Sequence, residues 1–355
     1  MGVEDSKIRW NQVNRWYQRE RIKTNWKPWG LPEVVDSRRS AFADVDPMPQ
    51  WKILVKVAIS ATINGAFFSK NVNKAMPLTA SEIINSAEEC IAAGAQIIHI
   101  HVRDENGLNC LDVDRFRSVI EPLRLRHPGV AIDGCLVAVN NEESDAMEVM
   151  MKSGLLDAVP INTTAVLLAD NMFLKSPHAI IKKAQLALEA GVKPGIAVYC
   201  DGDVDNARRF LIDSGLLNPP FFWIILPALP GCSPMYSPQS MISSLTRYVQ
   251  LIREVSEDSV ISVCAAGRAS TFLATLAIMM GLHVRVGMED TIYKWPHRDD
   301  RLPSSAFHFM LAKNIAESLG RDVMSAQEYL ALIGATTPRV PFNTATQAKK
   351  INLMP

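Results

Sequence analysis

His99 and His101 stand two residues apart in the stretch Ile97-Ile98-His99-Ile100-His101-Val102-Arg103-Asp104, which alternates apolar and polar side chains. In a β-strand, side chains at i and i+2 point to one face. His99, His101 and Arg103 therefore share one side and Ile98, Ile100 and Val102 the other. Two imidazoles placed this way can chelate one metal ion, or they can form a hydrogen-bonded pair in a polar core. A second stretch, His283-Val284-Arg285-Val286-Gly287-Met288-Glu289-Asp290, has matching parity. His283, Arg285 and Glu289 fall on one face if the strand stays extended as far as Glu289. Two histidines plus one carboxylate leave a divalent metal with open positions, as in catalytic sites. The competing reading puts Glu289 and Asp290 in a capped, solvated loop.

The elements around these stretches decide whether they can meet. From Ile53 the chain alternates short β-branched runs with amphipathic stretches opened by capping residues. Strands are expected at 53–60, 97–104, 130–139, 158–162, 195–200, 221–228, 260–266 and 283–287. A capping box, Thr79-Ala80-Ser81-Glu82, is expected to start the first helix, with further helices after Asp112 and Asn141, from near Pro177, after Asp203 and Ser237, up to Gly281, and after Leu302. Eight strand-helix units in succession predict right-handed crossovers, an all-parallel sheet and closure into an α/β fold, the (β/α)8 TIM barrel. In such a barrel the second and eighth strands flank the first and feed the same interior layers. A carboxylate at the end of the eighth can then approach two imidazoles at the end of the second.

Composition narrows the partners. Lys plus Arg equal Asp plus Glu at 37 each in 355 residues, so no net field recruits nucleic acid or an anionic membrane surface. Six cysteines without a C-x-x-C pair read as buried thiols of a reducing compartment. No apolar leader and no run of about 18 apolar residues occurs, so the expectation is a cytoplasmic protein that does not span a membrane. Residues 1–50 differ from the rest, with Trp10, Trp16, Trp26 and Trp29 among arginines and several prolines. This aromatic-rich extension reads as an arm that packs on its own barrel or on a neighbouring subunit. The expected organisation is an arm at 1–50, a barrel at 51–334 and an irregular tail at 335–355.

The fragments Gly94 to Asp104 and Gly281 to Asp290 resemble the two signature stretches of the β-keto acid cleavage enzymes, the family that includes 3-keto-5-aminohexanoate cleavage enzyme. Pro77-Leu78-Thr79, Leu229-Pro230-Gly231, Gly267-Arg268 and Leu319-Gly320-Arg321 add to the resemblance, which spans about Lys52 to Leu332. It implies a homo-oligomer, a tetramer by family habit, that binds zinc or another divalent metal and uses acetyl-CoA as co-substrate. His99, His101 and Glu289 would bind the metal. Asp290 would be the general base, and Arg285 would orient that base or the substrate carboxylate. The base removes the proton between the two carbonyl groups of a β-keto acid, and a Lewis acid stabilises the enolate. The carbanion then attacks the thioester, and released CoA thiolate cleaves the adduct to a new CoA thioester and acetoacetate.

Three positions depart from the family pattern. Gly65-Ala66-Phe67 replaces a Gly-Ala-Glu turn, Pro194-Gly195 replaces a Pro-Glu pair, and a serine common after the third strand is absent around Asp133-Gly134. Phe67, Gly134 and Gly195, together with Asn162 at the end of the fourth strand, are therefore expected to line the substrate pocket and to select a neutral or apolar β-keto acid. Two other readings stand beside this one. An amidohydrolase-type hydrolase also uses His-x-His in a barrel, but on the first strand and with further histidines on strands 5 and 6. A metal-binding barrel without catalysis would act as a scaffolding subunit through its arm.

Overall fold

The computed structural model describes residues 8–22, 53–136 and 141–335. The chain divides into two units, Met1–Lys52 and Ile53–Pro355. In the first, a helix runs Trp10–Ile22 and exposes Trp10, Trp16 and Tyr17 in the single chain. Trp26, Trp29 and the proline-rich remainder of the arm lie outside the described residues, as do residues 336–355 of the expected tail.

The second unit is the expected closed barrel. Its strands are β1 (Ile59–Thr62), β2 (Ile97–Ile100), β3 (Ala131–Gly134), β4 (Ala158–Asn162), β5 (Lys193–Val198), β6 (Phe222–Ile225), β7 (Val260–Val263) and β8 (His283–Gly287). They pair in sequential order, all parallel, with β8 joined to β1. Helices follow the strands: α1 (Ala80–Ala92), α2 (Val113–Arg126), α3 (Asn141–Lys152), α4 (Pro177–Glu189), α5 (Asp201–Ala207), α6 (Pro238–Val255), α7 (Ser270–Met279) and α8 (Ser305–Ser318). The expected capping box is present on α1, where Thr79 accepts from Glu82 N–H and Glu82 reaches back to the Thr79 N–H. Helix α5 starts two residues before the Asp203 expected to precede it, because Asp203 itself reaches back to the backbone N–H groups of Tyr199 and Cys200.

Outward side chains such as Ile98, Ile100, Val284 and Val286 pack against the helices in the main core. A smaller inner core fills the strand-start end with Ala58, Ile97, Ala131, Ala158, Phe222 and Val260. A further helix, α9 (Ala326–Ile333), closes that end with Tyr329, whose ring meets Phe222 edge-on at 6.1 Å. Arg321 fastens this closure by donating to the carbonyls of Leu54, Ile278 and Leu282. The strand-end mouth, where the βα loops gather, stays uncovered by this closure. Two features of the mouth were not expected from sequence: a hairpin of Ala165–Leu168 with Asn171–Leu174, and a short pairing of Val102–Arg103 with Asn109–Cys110.

Candidate metal centre

Strand β2 and the residue that follows it deliver His99 and His101 to the lumen, buried to 2% and 3% exposure, because Ile98 and Ile100 hold the other face in the outer core. Glu289 arrives by a different route from the extended strand expected. β8 stops at Gly287, whose φ of +151° and contact with β1 exclude a side chain: a Cβ there would lie 2.0 Å from Thr62 O. A turn follows, closed by Asp290 and Thr291 N–H bonds to Gly287 O. An extended strand would send consecutive side chains to opposite faces. The turn lets Glu289 and Asp290 both enter the mouth.

One ligand atom from each of His99, His101 and Glu289 lies within 4.8 Å of the others. His99 Nε2 is 3.2 Å from Glu289 Oε2, and His101 Nε2 is 3.4 Å from Oε1. His99 Nδ1 is 2.7 Å from Asp133 Oδ1, and His101 Nδ1 is 2.8 Å from Asn109 Oδ1. Acceptors at both Nδ1 atoms fix the tautomers, so each Nε2 presents a lone pair to the same point. His101 Nε2 and Glu289 Oε2 are buried without a hydrogen-bond partner. His99 Nε2 meets only Arg285 Nη1, at 3.3 Å. A divalent cation would satisfy the unpartnered imidazole nitrogen and carboxylate oxygen and draw on His99 as the third ligand.

The electrostatics agree. Burial favours neutral imidazoles, but Glu289 and Asp133 outweigh it at His99, and Glu289 and Cys135 at His101, so their pKa values rise to about 9 and about 10. The cluster therefore draws positive charge, and a metal ion supplies it with the rings neutral. At Glu289 burial opposes ionisation, yet Arg285 and the two histidines hold the carboxyl well below its usual range.

Asp290 is the adjacent acid. Its Oδ1 accepts from Arg285 Nη2 at 2.6 Å and from Cys264 Sγ at 3.1 Å, and its Oδ2 accepts only a 3.3 Å bond from Thr62. Burial, joined by the Glu289 charge and opposed by Arg285, raises its pKa above the ordinary aspartate value. Arg285 spans the pair, donating to Glu289 Oε1 at 3.1 Å as well. Arg103, on the histidine face of the β2 stretch, serves the site at one remove. It donates to the carbonyls of Gly65, Gly107 and Phe68, pinning the loop after β1. That loop presses the Gly65 backbone against Glu289, where an added Cβ would sit 2.3 Å from Cγ.

The four expected pocket residues separate. Asn162 is at the mouth, buried, with Nδ2 donating to Tyr199 Oη at 3.0 Å and Oδ1 without a partner. Phe67 lies two residues beyond Gly65 and is 72% exposed. Gly134 turns its missing side chain outward, towards Leu156, because β3 alternates with Asp133 facing in. Gly195 faces Phe222 and Ile224 in the inner core, one of whose carbons would be 2.9 Å from an added Cβ. Asp133, Asn109 and Cys264 are the contributors that sequence reasoning missed. Asp133 was accessible through strand register, since it pairs directly with His99; Asn109 required the unexpected pairing with Arg103.

The family sequence model described as beta-keto acid cleavage enzyme matches residues 56–334. A 3-keto-5-aminohexanoate cleavage enzyme of Fusobacterium nucleatum is 33% identical over 245 residues, 68% of this chain and 85% of that protein. A 3-oxoadipate:acetyl-CoA acetyltransferase of Cupriavidus necator is 25% identical over 292 residues, 78% of this chain and 94% of that protein. Among solved structures, apo ObcA superposes with a TM-score of 0.63 at 16% identity, over 73% of this chain and 65% of its own. The chain thus spans just under two thirds of that structure, and the likeness bears on the fold alone.

Proposed function

The chain belongs to the beta-keto acid cleavage enzyme family and is a carbon–carbon bond-cleaving enzyme; from that premise we propose that it condenses a neutral or apolar β-keto acid with acetyl-CoA and releases a CoA thioester and acetoacetate. The observation that carries this reading is the convergence of His99, His101 and Glu289 beside the Asp290–Arg285 pair. A divalent ion, zinc or another, held by those three residues would supply Lewis-acid stabilisation of the substrate enolate. Asp290 Oδ2, the less engaged oxygen, takes the proton from the carbon between the two carbonyl groups, and a raised pKa suits it to that task. Arg285 holds the base in place and offers its buried, unpartnered Nε to developing negative charge. The resulting carbanion displaces CoA thiolate from the thioester; the thiolate then adds to the original ketone, the bond from that carbonyl to the central carbon breaks to give the new CoA thioester, and the released acetoacetate carbanion takes back the proton held by Asp290. Asn162 Oδ1 offers a fixed acceptor beside the reacting groups.

Substrate charge follows from what the mouth lacks. Burying an ammonium group unpaired costs several kcal/mol. The carboxylates of Asp133, Glu289 and Asp290 are already engaged with His99, His101 and Arg285. On the loop after β1, Phe67 brings an apolar ring in place of a carboxylate. Paired β-keto acids that differ only in a terminal amine or methyl group test this: the methyl substrate should have the higher kcat/KM, and preference for the amine refutes it. Phe67→Glu should move the preference towards the amine.

The amidohydrolase reading is disfavoured by the histidine pair lying on and just after β2 and by the absence of histidine from β5 and β6. We extend the proposal to a cytoplasmic homo-oligomer whose arm lies at a subunit boundary, supported by the exposed rings of the Trp10–Ile22 helix. Deleting residues 1–45 should change the assembly state seen by light scattering; an unchanged state refutes the role of the arm.

A further inference from the structure

Beyond Asp290 the chain makes a small ladder that no step above uses. Leu302 N–H bonds to Ile292 O, Lys294 N–H bonds to Asp300 O, and Tyr293 pairs with Arg301 across an isolated bridge. The loop it closes, Tyr293 to Arg301, is dense in cations and rings. Arg268 lies 3.9 Å over the Tyr293 ring and Arg301 lies 4.7 Å over the same ring. Lys294 lies 4.4 Å from the Phe307 centroid and 5.2 Å from that of Trp295. Such contacts order cations and aromatic faces together.

The charges do not cancel. Arg268 pairs with Asp299, and Arg298 pairs with Asp300 at 3.1 Å. Among the described residues, no carboxylate pairs with Lys294 or Arg301. Lys294 and Arg301, each held over an aromatic ring and neither in an ion pair, can each take an anionic group of a ligand that also carries a planar group.

The loop is anchored at the catalytic centre. Gly267 N–H donates to Asp290 O at 2.7 Å, so Arg268 begins beside the base, and Tyr293 is three residues further along the chain. Trp295, five residues past Asp290, is within roughly 18 Å of it even if that segment is fully extended. An extended pantetheine chain bridges such a gap.

Building on the proposed use of acetyl-CoA, we infer that this loop is the subsite for the nucleotide end of the co-substrate. Lys294 and Arg301 take its phosphate groups, and the half-buried Trp295 face takes the adenine by stacking. A cavity of about 430 Å³ between α1 and α2 also carries cations, but there Lys70 is paired with Glu82 and Arg115 with Glu105. Its third, Arg103, is spent on backbone carbonyls. That cavity has no free cation for a phosphate.

Calorimetry with adenosine 3′,5′-bisphosphate on the full chain tests the assignment without turnover. The wild-type protein should bind it, more weakly as salt rises. Lys294→Ala and Arg301→Ala should each weaken binding about tenfold, as expected for loss of one charge-assisted contact. Lys70→Ala should leave it unchanged. Arg301→Lys, which keeps charge, should recover most of the affinity. Unaltered affinity in both alanine variants, weakening by Lys70→Ala instead, or equal competition by inorganic phosphate would each overturn the assignment.

Steady-state kinetics add a second reading. The double variant should raise KM for acetyl-CoA with kcat kept, and leave KM for S-acetylpantetheine, which has no nucleotide, unaltered. Equal effects on the two thioesters would overturn the subsite. Failure of the wild-type protein to turn over either thioester would count against the proposed reaction, with the calorimetric result still deciding the subsite.

Discussion

Gly65→Ala is the sharpest mechanical probe of the metal centre. Gly65 has φ of +62°, and an ideal Cβ there would lie 2.3 Å from Glu289 Cγ, 2.8 Å from its Cβ and 2.9 Å from its Cα. The last contact is to backbone, so a rotamer change in Glu289 cannot relieve the overlap. Left-handed backbone at alanine costs on the order of 1–2 kcal/mol. The loop cannot simply lift, because Arg103 donates to Gly65 O and Phe68 O. Glu289 must therefore shift away from His99 and His101. Displacing a ligand that neighbouring groups hold in place typically lowers metal affinity ten- to a hundredfold. Gly154→Ala is the matched control, with φ of +71° and no atom within 4 Å of its added Cβ. Competition against a chelator gives the metal dissociation constant, and denaturant unfolding gives stability. Both variants should lose about 1–2 kcal/mol to backbone strain, but only Gly65→Ala should lose metal affinity. Equal metal affinity in the two variants would refute the claim that the β1 loop sets the position of Glu289.

Asp133→Ala should weaken metal binding roughly ten- to a hundredfold, measured by the same competition, because it removes the acceptor that fixes His99 Nδ1 at 2.7 Å. Asp290→Asn should keep metal stoichiometry while turnover falls roughly a hundred- to ten-thousandfold, the usual weight of a general base; a comparable loss of bound metal would assign Asp290 to the ligand set instead. His283 gives a pH signature: burial and the charges of Arg321 and Arg253 lower its pKa to about 3, and its Nδ1 accepts the Ala58 N–H at 3.1 Å. A depressed histidine pKa means that the stabilisation is full above the unfolded value and is lost as pH falls towards 3. The stability cost of His283→Asn should accordingly shrink by about 2 kcal/mol between pH 7.5 and pH 5 in urea unfolding, and a pH-independent cost would contradict the buried neutral ring.

The barrel was readable because strand parity and helix caps are local signals. Ile98 and Ile100 declare one face of β2, and Thr79 with Glu82 declares the start of α1. The meeting of the two histidines with Glu289 was legible from residue type, but the backbone that brings Glu289 in was not. An extended strand cannot aim both Glu289 and Asp290 inward; the turn after Gly287 does so, and it depends on the close approach of Thr62 O from β1, a contact 225 residues away in sequence. Gly134 and Gly195 show the converse limit. A difference from a family pattern marks a position but not its direction, and one of these glycines faces Leu156 in the outer core while the other faces the inner core. Asp133 and Asn109 were hidden for a related reason, since support for a ligand comes from neighbouring strands and hairpins whose register is set by tertiary pairing.

The central claim is that the Asp290 side of this metal centre makes a carbon–carbon bond to the acetyl group of acetyl-CoA before cleaving another. Its most direct test is to incubate the metal-loaded protein with an apolar β-keto acid and acetyl-CoA carrying ¹³C at the acetyl carbonyl, and to follow the label by NMR. The account predicts that the label appears at the ketone carbon of acetoacetate and that the new CoA thioester is unlabelled. Label recovered as acetate, or retained in the CoA thioester while acetoacetate is unlabelled, would contradict it.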